Sequence, residues 1–170
     1  MVKHKKKKIK LHFIGLLIIA VMIAYLSSLY FQSQRMLKQT ISSVGYIKAD
    51  AVEVFLENDS ALIKLIGKCS ELSFSTTYHQ GGSIQLGLLR QIAFRPTTHD
   101  IMSSILDRYG IKPIIVKITR VEGGTYFAEL TLRKGFNFMT IDIRPSDAVA
   151  IAVRTNTPIY VNESLMNRVC

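Results

Sequence analysis

Two short stretches gather the side chains of this 170-residue sequence that can move protons, hold cations or bind anions. The first carries Arg95, His99 and Asp100; the second carries Asp142, Arg144, Ser146 and Asp147, with Arg154 further along. Histidine titrates nearest neutrality, so His99 is the candidate acid or base, and Asp100, Asp142 and Asp147 are carboxylates able to share that work. Arg95, Arg144 and Arg154 are donor-rich cations suited to an anionic oxygen group, and the Ser146 hydroxyl can add a donor. Asp142 and Asp147 could jointly hold a divalent cation such as Mg²⁺ by oxygen ligation, two carboxylates being few for such a site.

Each of these residues also has a purely structural reading. Thr97 and Ser146 read as helix caps, and Asp100 and Asp147 as first-turn carboxylates, each contributing roughly 0.3–1 kcal/mol against the helix dipole. His99 reads equally as a hydrogen-bonded surface histidine. Arg95 and Arg144 each precede a proline, which biases them to extended backbone ahead of a helix. Pairing with Asp100 or Asp142 is then the alternative to anion binding. Tyr126, Phe127, Phe136 and Phe138 alternate along strands, a pattern of core residues on one face more than of a base-stacking platform.

The elements that must position these residues are legible in the periodicity. Period-two patterns predict strands over residues 51–56, 61–67 and 71–75, with Asn58-Asp59-Ser60 as turn chemistry between the first two. Residues 81–94 read as a buried helix. A second helix starts at Thr97, where Asp100 three residues on completes a capping-box pattern, and stops at Gly110, with Pro113 preventing continuation. Residues 114–121 and 125–133 alternate strongly across Glu122-Gly123-Gly124, a hairpin signal, and 136–143 extends the meander. Pro145-Ser146-Asp147 opens a helix through Arg154, and 159–161 reads as a last strand. This order predicts an α+β fold: a mixed or antiparallel sheet with helices packed on it. No Gly-rich phosphate loop and no nucleophile elbow occurs.

The first forty residues belong to a different class. Residues 1–10 form a basic tail, and 11–31 are 21 residues without a formally charged side chain, His12 being the one ionisable group near neutrality. That length crosses about 30 Å of hydrocarbon as a helix, which predicts a transmembrane span. The segment runs on through Tyr25, Tyr30 and Phe31 without a small-residue cleavage site, unlike a signal peptide. It is apolar all round, unlike a core helix. Six lysines before the span outweigh Arg35 and Lys38 after it, so the tail is expected in the cytoplasm and the domain outside. Anionic lipid is the expected partner of the tail. Residues 32–45, polar but with Met36, Leu37 and Ile41 at helical spacing, read as a juxtamembrane linker, leaving 46–170 as one domain.

Net charge follows the same division. The whole sequence carries +10, yet beyond Thr40 there are 14 Lys and Arg against 12 Asp and Glu, a balance of +2. The charge therefore describes the tail, not a nucleic-acid face on the domain. Cys69 and Cys170 stand without any Cys-x-x-Cys or His-x-x-x-His spacing. They read as two free or buried thiols, a disulfide between them being the alternative if the domain lies in an oxidising compartment.

Four blocks, in order, carry a resemblance. Arg95-Pro96-Thr97-Thr98-His99-Asp100, Gly124-Thr125-Tyr126-Phe127-Ala128, Asp142-Ile143-Arg144-Pro145-Ser146-Asp147-Ala148, and Arg154-Thr155 followed by Pro158-Ile159-Tyr160-Val161 together resemble the bifunctional nuclease domain family. The resemblance covers roughly residues 51–165 and is strongest from Arg95 onward. It implies phosphodiester hydrolysis on DNA and RNA, with those nucleic acids as partners. One position departs from it: where the family usually opens its first domain helix with a glutamate followed by small residues, this sequence has His79-Gln80-Gly81-Gly82-Ser83. A non-catalytic, membrane-tethered module that binds a ligand or partner is the competing expectation, and a homo-oligomer is compatible with either.

Overall fold

A computed structural model describes residues 2–40 and 43–170. Met1, in the basic tail, and residues 41–42, in the expected linker, lie outside the described residues. The chain divides into two compact units, one ending at Thr40 and the other comprising the rest.

The first unit is a single helix, α1 (Val2–Thr40). Its stretch Ile14–Arg35 has a mean hydropathy of 2.3 and no buried share, so by length and composition it can cross a membrane. The helix does not stop at Phe31: residues 32–40, expected as linker, continue it. No glycine or proline interrupts them, and Gln, Arg, Met, Leu and Lys are all good helix formers. Within the second unit, a turn at Gly45, whose φ is 76°, leads into the first strand.

That unit is α+β. Its strands are β1 (Tyr46–Lys48), β2 (Ala51–Leu56), β3 (Ser60–Ile66), β4 (Ser70–Thr77), β5 (Lys112–Glu122), β6 (Thr125–Lys134), β7 (Asn137–Ile143), β8 (Ile159–Asn162) and β9 (Asn167–Arg168). Its helices are α2 (Tyr78–Leu88), α3 (Thr98–Arg108) and α4 (Pro145–Thr155), with a 3₁₀ turn at Glu163–Leu165. They build a five-stranded sheet in the order β1-β8-β5-β6-β7 and a four-stranded sheet in the order β2-β3-β4-β9. All pairings are antiparallel except β5 with β8. The short strands β1 and β9 carry too few residues for a periodic signal, and the sequence reading did not anticipate them.

Alternation places the core. Ala61, Ile63 and Leu65 of β3 and Leu72 and Phe74 of β4 point to one side, and Val116, Ile118, Ala128 and Leu130 line the other sheet. Helix α4, with Ala148 to Ala152 buried, packs on β5 and β6 and also against α2 and α3. Among the expected aromatics, Tyr126 packs on Phe74 at 5.8 Å and Phe127 carries the Arg120 guanidinium at 4.0 Å, whereas Phe136 is exposed in the turn before β7.

Helix α2 differs from the expected 81–94. It begins earlier, because the Thr77 side chain accepts from the Gln80 N–H as N-cap, and it ends by Leu89. Arg90, at φ 56°, takes the left-handed position of a Schellman motif, with Arg90 N–H donating to Gly87 O and Gln91 N–H to Leu86 O. Arginine tolerates that conformation here because Nη1 donates to Arg154 O at 3.2 Å and Nη2 to Asn156 Oδ1, lashing the end of α2 to the end of α4. Ile92 and Phe94, predicted in the helix, are exposed in the following loop.

Candidate functional site

Three helix starts converge on one cluster. The N-cap at Thr77 sets the register of α2, so that Gln80 and Ser83, three apart, share a face. Thr97 caps α3 with the complete reciprocal capping box anticipated from the sequence, and its first turn presents His99 and Asp100. Pro145 at the first position of α4 puts the cap at Arg144, and Asp147 follows in the first turn. Ser146 is therefore not the cap; it is buried inside that turn. Arg154 lies two turns along α4 on the same side as Asp147.

The centre is an imidazole and a carboxylate. His99 Nε2 lies 3.3 Å from Asp147 Oδ1, the side chains being 16% and 20% exposed. Asp147 Oδ1 also accepts from Gln80 Nε2 at 3.3 Å, and its Oδ2 accepts from Arg144 Nε at 3.0 Å. Arg144 is largely exposed and brings a cation to the rim. On the inner side of the ring, His99 Nδ1 is 2.9 Å from Ser83 Oγ.

Behind this pair lies a buried scaffold. Arg154 Nε donates to Asp100 Oδ1 at 2.6 Å, both side chains being nearly buried. Nη1 of Arg154 donates to Ala150 O, and its Nη2 to Ser83 Oγ and Thr97 Oγ1. Burial of Asp100 works against its ionisation, yet hydrogen bonds from Arg154 and Thr97 and the guanidinium charge outweigh that and hold its carboxyl below the ordinary range. Gly87 makes room for this arginine: a Cβ there would sit 2.7 Å from Arg154 Nη1.

The fold thus brings together His99, Asp100, Asp147, Arg144 and Arg154 of the expected residues. The pairings differ from those the sequence offered. Asp100 pairs with Arg154, 54 positions away, and Arg144 with Asp147. Asp142 is not brought in: it is exposed on β7, opposite Glu129 of β6, while its neighbours Ile141 and Ile143 pack towards the core. Arg95 is exposed in the loop before α3, and among the described residues its side chain makes no ion pair. Gln80 and Ser83 were not singled out as site residues; the departure at His79-Gln80-Gly81-Gly82-Ser83 was the signal that could have found them.

Among the described residues no group of three or more His, Cys, Asp or Glu side chains is placed to hold a metal ion. Asp147 is the one carboxylate of the outer pair, so a hard cation here would take the rest of its shell from water and substrate oxygens, as Mg²⁺ commonly does. Two surface hollows, of about 450 and 600 Å³, are lined by residues such as Lys48, Arg90 and Asn156, and by Lys68, Glu163 and Arg168. Neither includes His99 or Asp147.

The family model of the bifunctional nuclease domain matches residues 72–170, starting later than the expected residue 51 and reaching Cys170. Bifunctional nuclease 1 of Arabidopsis thaliana is 41% identical over 78 residues, covering 44% of this chain and 24% of the plant protein. Bifunctional nuclease 2 of Oryza sativa subsp. japonica is 39% identical over 74 residues, covering 42% of this chain and 23% of the relative. An uncharacterized protein of Mycobacterium tuberculosis is 36% identical over 72 residues, 42% of each chain. The chain thus spans about a quarter of the plant relatives it matches. The family match takes in all three helix starts' contributions to the cluster and more than half of the chain, and on that ground the chain belongs to the bifunctional nuclease domain family.

Proposed function

We propose that this protein is a membrane-tethered nuclease that hydrolyses DNA or RNA phosphodiester bonds. The observation that carries the reading is the mostly buried but solvent-reachable His99–Asp147 pair at 3.3 Å with the Arg144 cation on the same carboxylate, in a chain of this family. Phosphodiester cleavage needs a group to manage the attacking water's proton and cations to neutralise the crowded phosphate. His99 and Asp147 supply the first. Arg144 and the exposed Arg95 supply the second, by the two-pronged donors that arginine offers to phosphate. Asp100, Arg154 and Ser146 act behind the surface, holding α3 and α4 in place. A divalent cation such as Mg²⁺, if the reaction uses one, would bind at the Asp147 carboxylate and stabilise charge on the phosphate.

The tether is α1, whose Ile14–Arg35 stretch can span a bilayer. The lysine-rich tail and the disulfide between Cys69 and Cys170 support a domain outside the cytoplasm, because lysine-rich flanks stay cytoplasmic and such bonds persist in oxidising compartments. Protease digestion of intact cells is expected to remove the domain; complete protection would reverse the orientation.

The test of activity is cleavage of single-stranded DNA and RNA by the full chain in detergent, with and without Mg²⁺ or Mn²⁺. His99→Ala and Asp147→Ala are expected to lower the rate by about 10²–10⁴-fold. No cleavage by the wild-type protein under any of these conditions rejects the reading.

One contact favours a second reading, a non-catalytic binding module. The Gln80 amide donates to Asp147 at a helix opening where the family usually has glutamate. The amide leaves the cluster with a single surface carboxylate. On this reading the wild-type protein binds oligonucleotide without cutting it, and Gln80→Glu, which restores a second carboxylate, gains cleavage.

A further inference from the structure

We propose that Ser83 is a positioning residue that fixes the tautomer of His99, so that the neutral imidazole carries its proton on Nε2 and presents it to the Asp147 carboxylate. The consequence for chemistry rests on the nuclease reading above, whereas the tautomer itself follows from counting donors and acceptors in the cluster.

Arg154 starts the chain of donors, because a guanidinium has protons to give and no lone pair to accept with. Its Nη2 donates to Ser83 Oγ at 3.2 Å. Thr97 has one hydroxyl proton, and it goes to Asp100 Oδ2 at 2.7 Å, an ionised carboxylate that can only accept. The Thr97 oxygen in turn receives the Asp100 N–H at 3.3 Å. Thr97 therefore has no proton left for Ser83.

The Ser83 proton then has two acceptors in reach: His99 Nδ1 at 2.9 Å and the already engaged Thr97 Oγ1 at 3.4 Å. The nitrogen is closer, and the other tautomer would turn an Nε2 lone pair, not a proton, toward the Asp147 carboxylate oxygen, so Ser83 donates to Nδ1. A neutral imidazole that accepts at Nδ1 holds its proton at Nε2, and that N–H points to Asp147 Oδ1 at 3.3 Å. Gln80 and Arg144 donate to the same carboxylate, so its remaining role is acceptance. The relay runs one way, from Arg154 through Ser83 and His99 to Asp147.

Burial distinguishes this role from that of a nucleophile. Ser83 is 5% exposed, behind the histidine ring, out of reach of a polymer on the surface. A serine within a helix ordinarily bonds back to its own preceding turn; here the hydroxyl bonds outward to α3 and α4. With the proton fixed at Nε2 and directed at Asp147, His99 has no lone pair to act as a base, and proton acceptance in the pair falls to Asp147.

The full chain contains four histidines. Replacing His4, His12 and His79 by glutamine leaves His99 as the single histidine, and long-range ¹H–¹⁵N spectra of the ¹⁵N-histidine-labelled protein in detergent micelles, recorded over about pH 7–10 to find the neutral ring, read that ring alone. The expected pattern is protonated Nε2 and imine-like Nδ1; protonated Nδ1 overturns the proposal. Ser83→Ala is expected to bring the two nitrogen shifts together as the tautomers mix, and Ser83→Thr, which keeps a hydroxyl, to restore the separation. An unchanged spectrum in Ser83→Ala removes Ser83 from the role, and if that variant does not fold the wild-type pattern still decides. The spectra need no substrate, so an inactive protein with the expected pattern would sink the nuclease reading alone.

Discussion

Asp100 and Arg154 meet at 2.6 Å with their side chains 12% and 7% exposed, and that pair is the deepest charge in the domain described above. Removing one partner of such a pair strands the other away from water. Arg154→Ala is therefore expected to destabilise the domain by about 3–5 kcal/mol, read by urea denaturation of the full chain in detergent. A change below about 1 kcal/mol would mean that water replaces the guanidinium freely. The same pair sets an acid limit. Because the folded-state pKa of Asp100 is lowered, its stabilisation is fully present above the unfolded carboxylate value of about 4 and is lost as pH falls through the lower folded value. Asp100→Asn is expected to flatten the stability profile below about pH 4, where the wild-type profile falls.

At the scale of elements, α3 is held by its polar ends more than by its apolar side chains. Leu106 is its one buried residue among those described, and Ile101, Met102 and Ile105 face outward. The capping box and the Asp100–Arg154 pair therefore locate His99. Helix α2 is located differently, by contact. A Cβ at Gly81 would lie 2.1 Å from the Ala61 Cβ on β3, whereas one at Gly82 meets nothing within 4 Å. Gly81→Ala must push α2 off the sheet and is expected to cost about 1–3 kcal/mol, displacing Gln80 and Ser83 and lowering activity. Gly82→Ala gains helix propensity and is expected to stabilise by about 0.5–1 kcal/mol with the site intact. Melting temperatures of the two variants moving in the same direction would refute this account of how α2 seats.

For the molecule as a whole, the disulfide joins Cys69, before β4, to Cys170, just after β9, across 101 positions. The sequence reading placed two free thiols ahead of this bond. β9 is a two-residue strand on the edge of β4, too short to hold itself by backbone hydrogen bonds. Closing a loop of this length constrains the unfolded chain by about 4 kcal/mol, so dithiothreitol or Cys170→Ser is expected to lower unfolding stability by about that amount. Equal denaturation midpoints with and without reductant would show that the bond contributes nothing. The domain carries +2 against +10 for the whole chain, so on the proposed function its long-range attraction for nucleic acid is modest and local arginines would supply the grip.

Local pattern decided much of this protein without tertiary information. Period-two alternation located the strands from β2 to β8, the Thr97 capping box and Gly110 bounded α3, and Pro145 opened α4, because each signal lies within a few neighbouring residues whose geometry repeats. The same locality explains the failures: Arg90 does not look like a helix stop, and β1 and β9 are too short to repeat anything. Which charges pair was beyond its reach. Arg154 could have met any of several carboxylates; packing of α4 against α2 and α3 chose Asp100 across 54 positions and put Ser83 beneath His99 across 16. Likewise Asp142 and Asp147, five residues apart in one motif, part company because a strand turns one outward and the following helix turns the other into the cluster. Residue type sets what a side chain can do, and the packing of distant segments sets which partner it does it with.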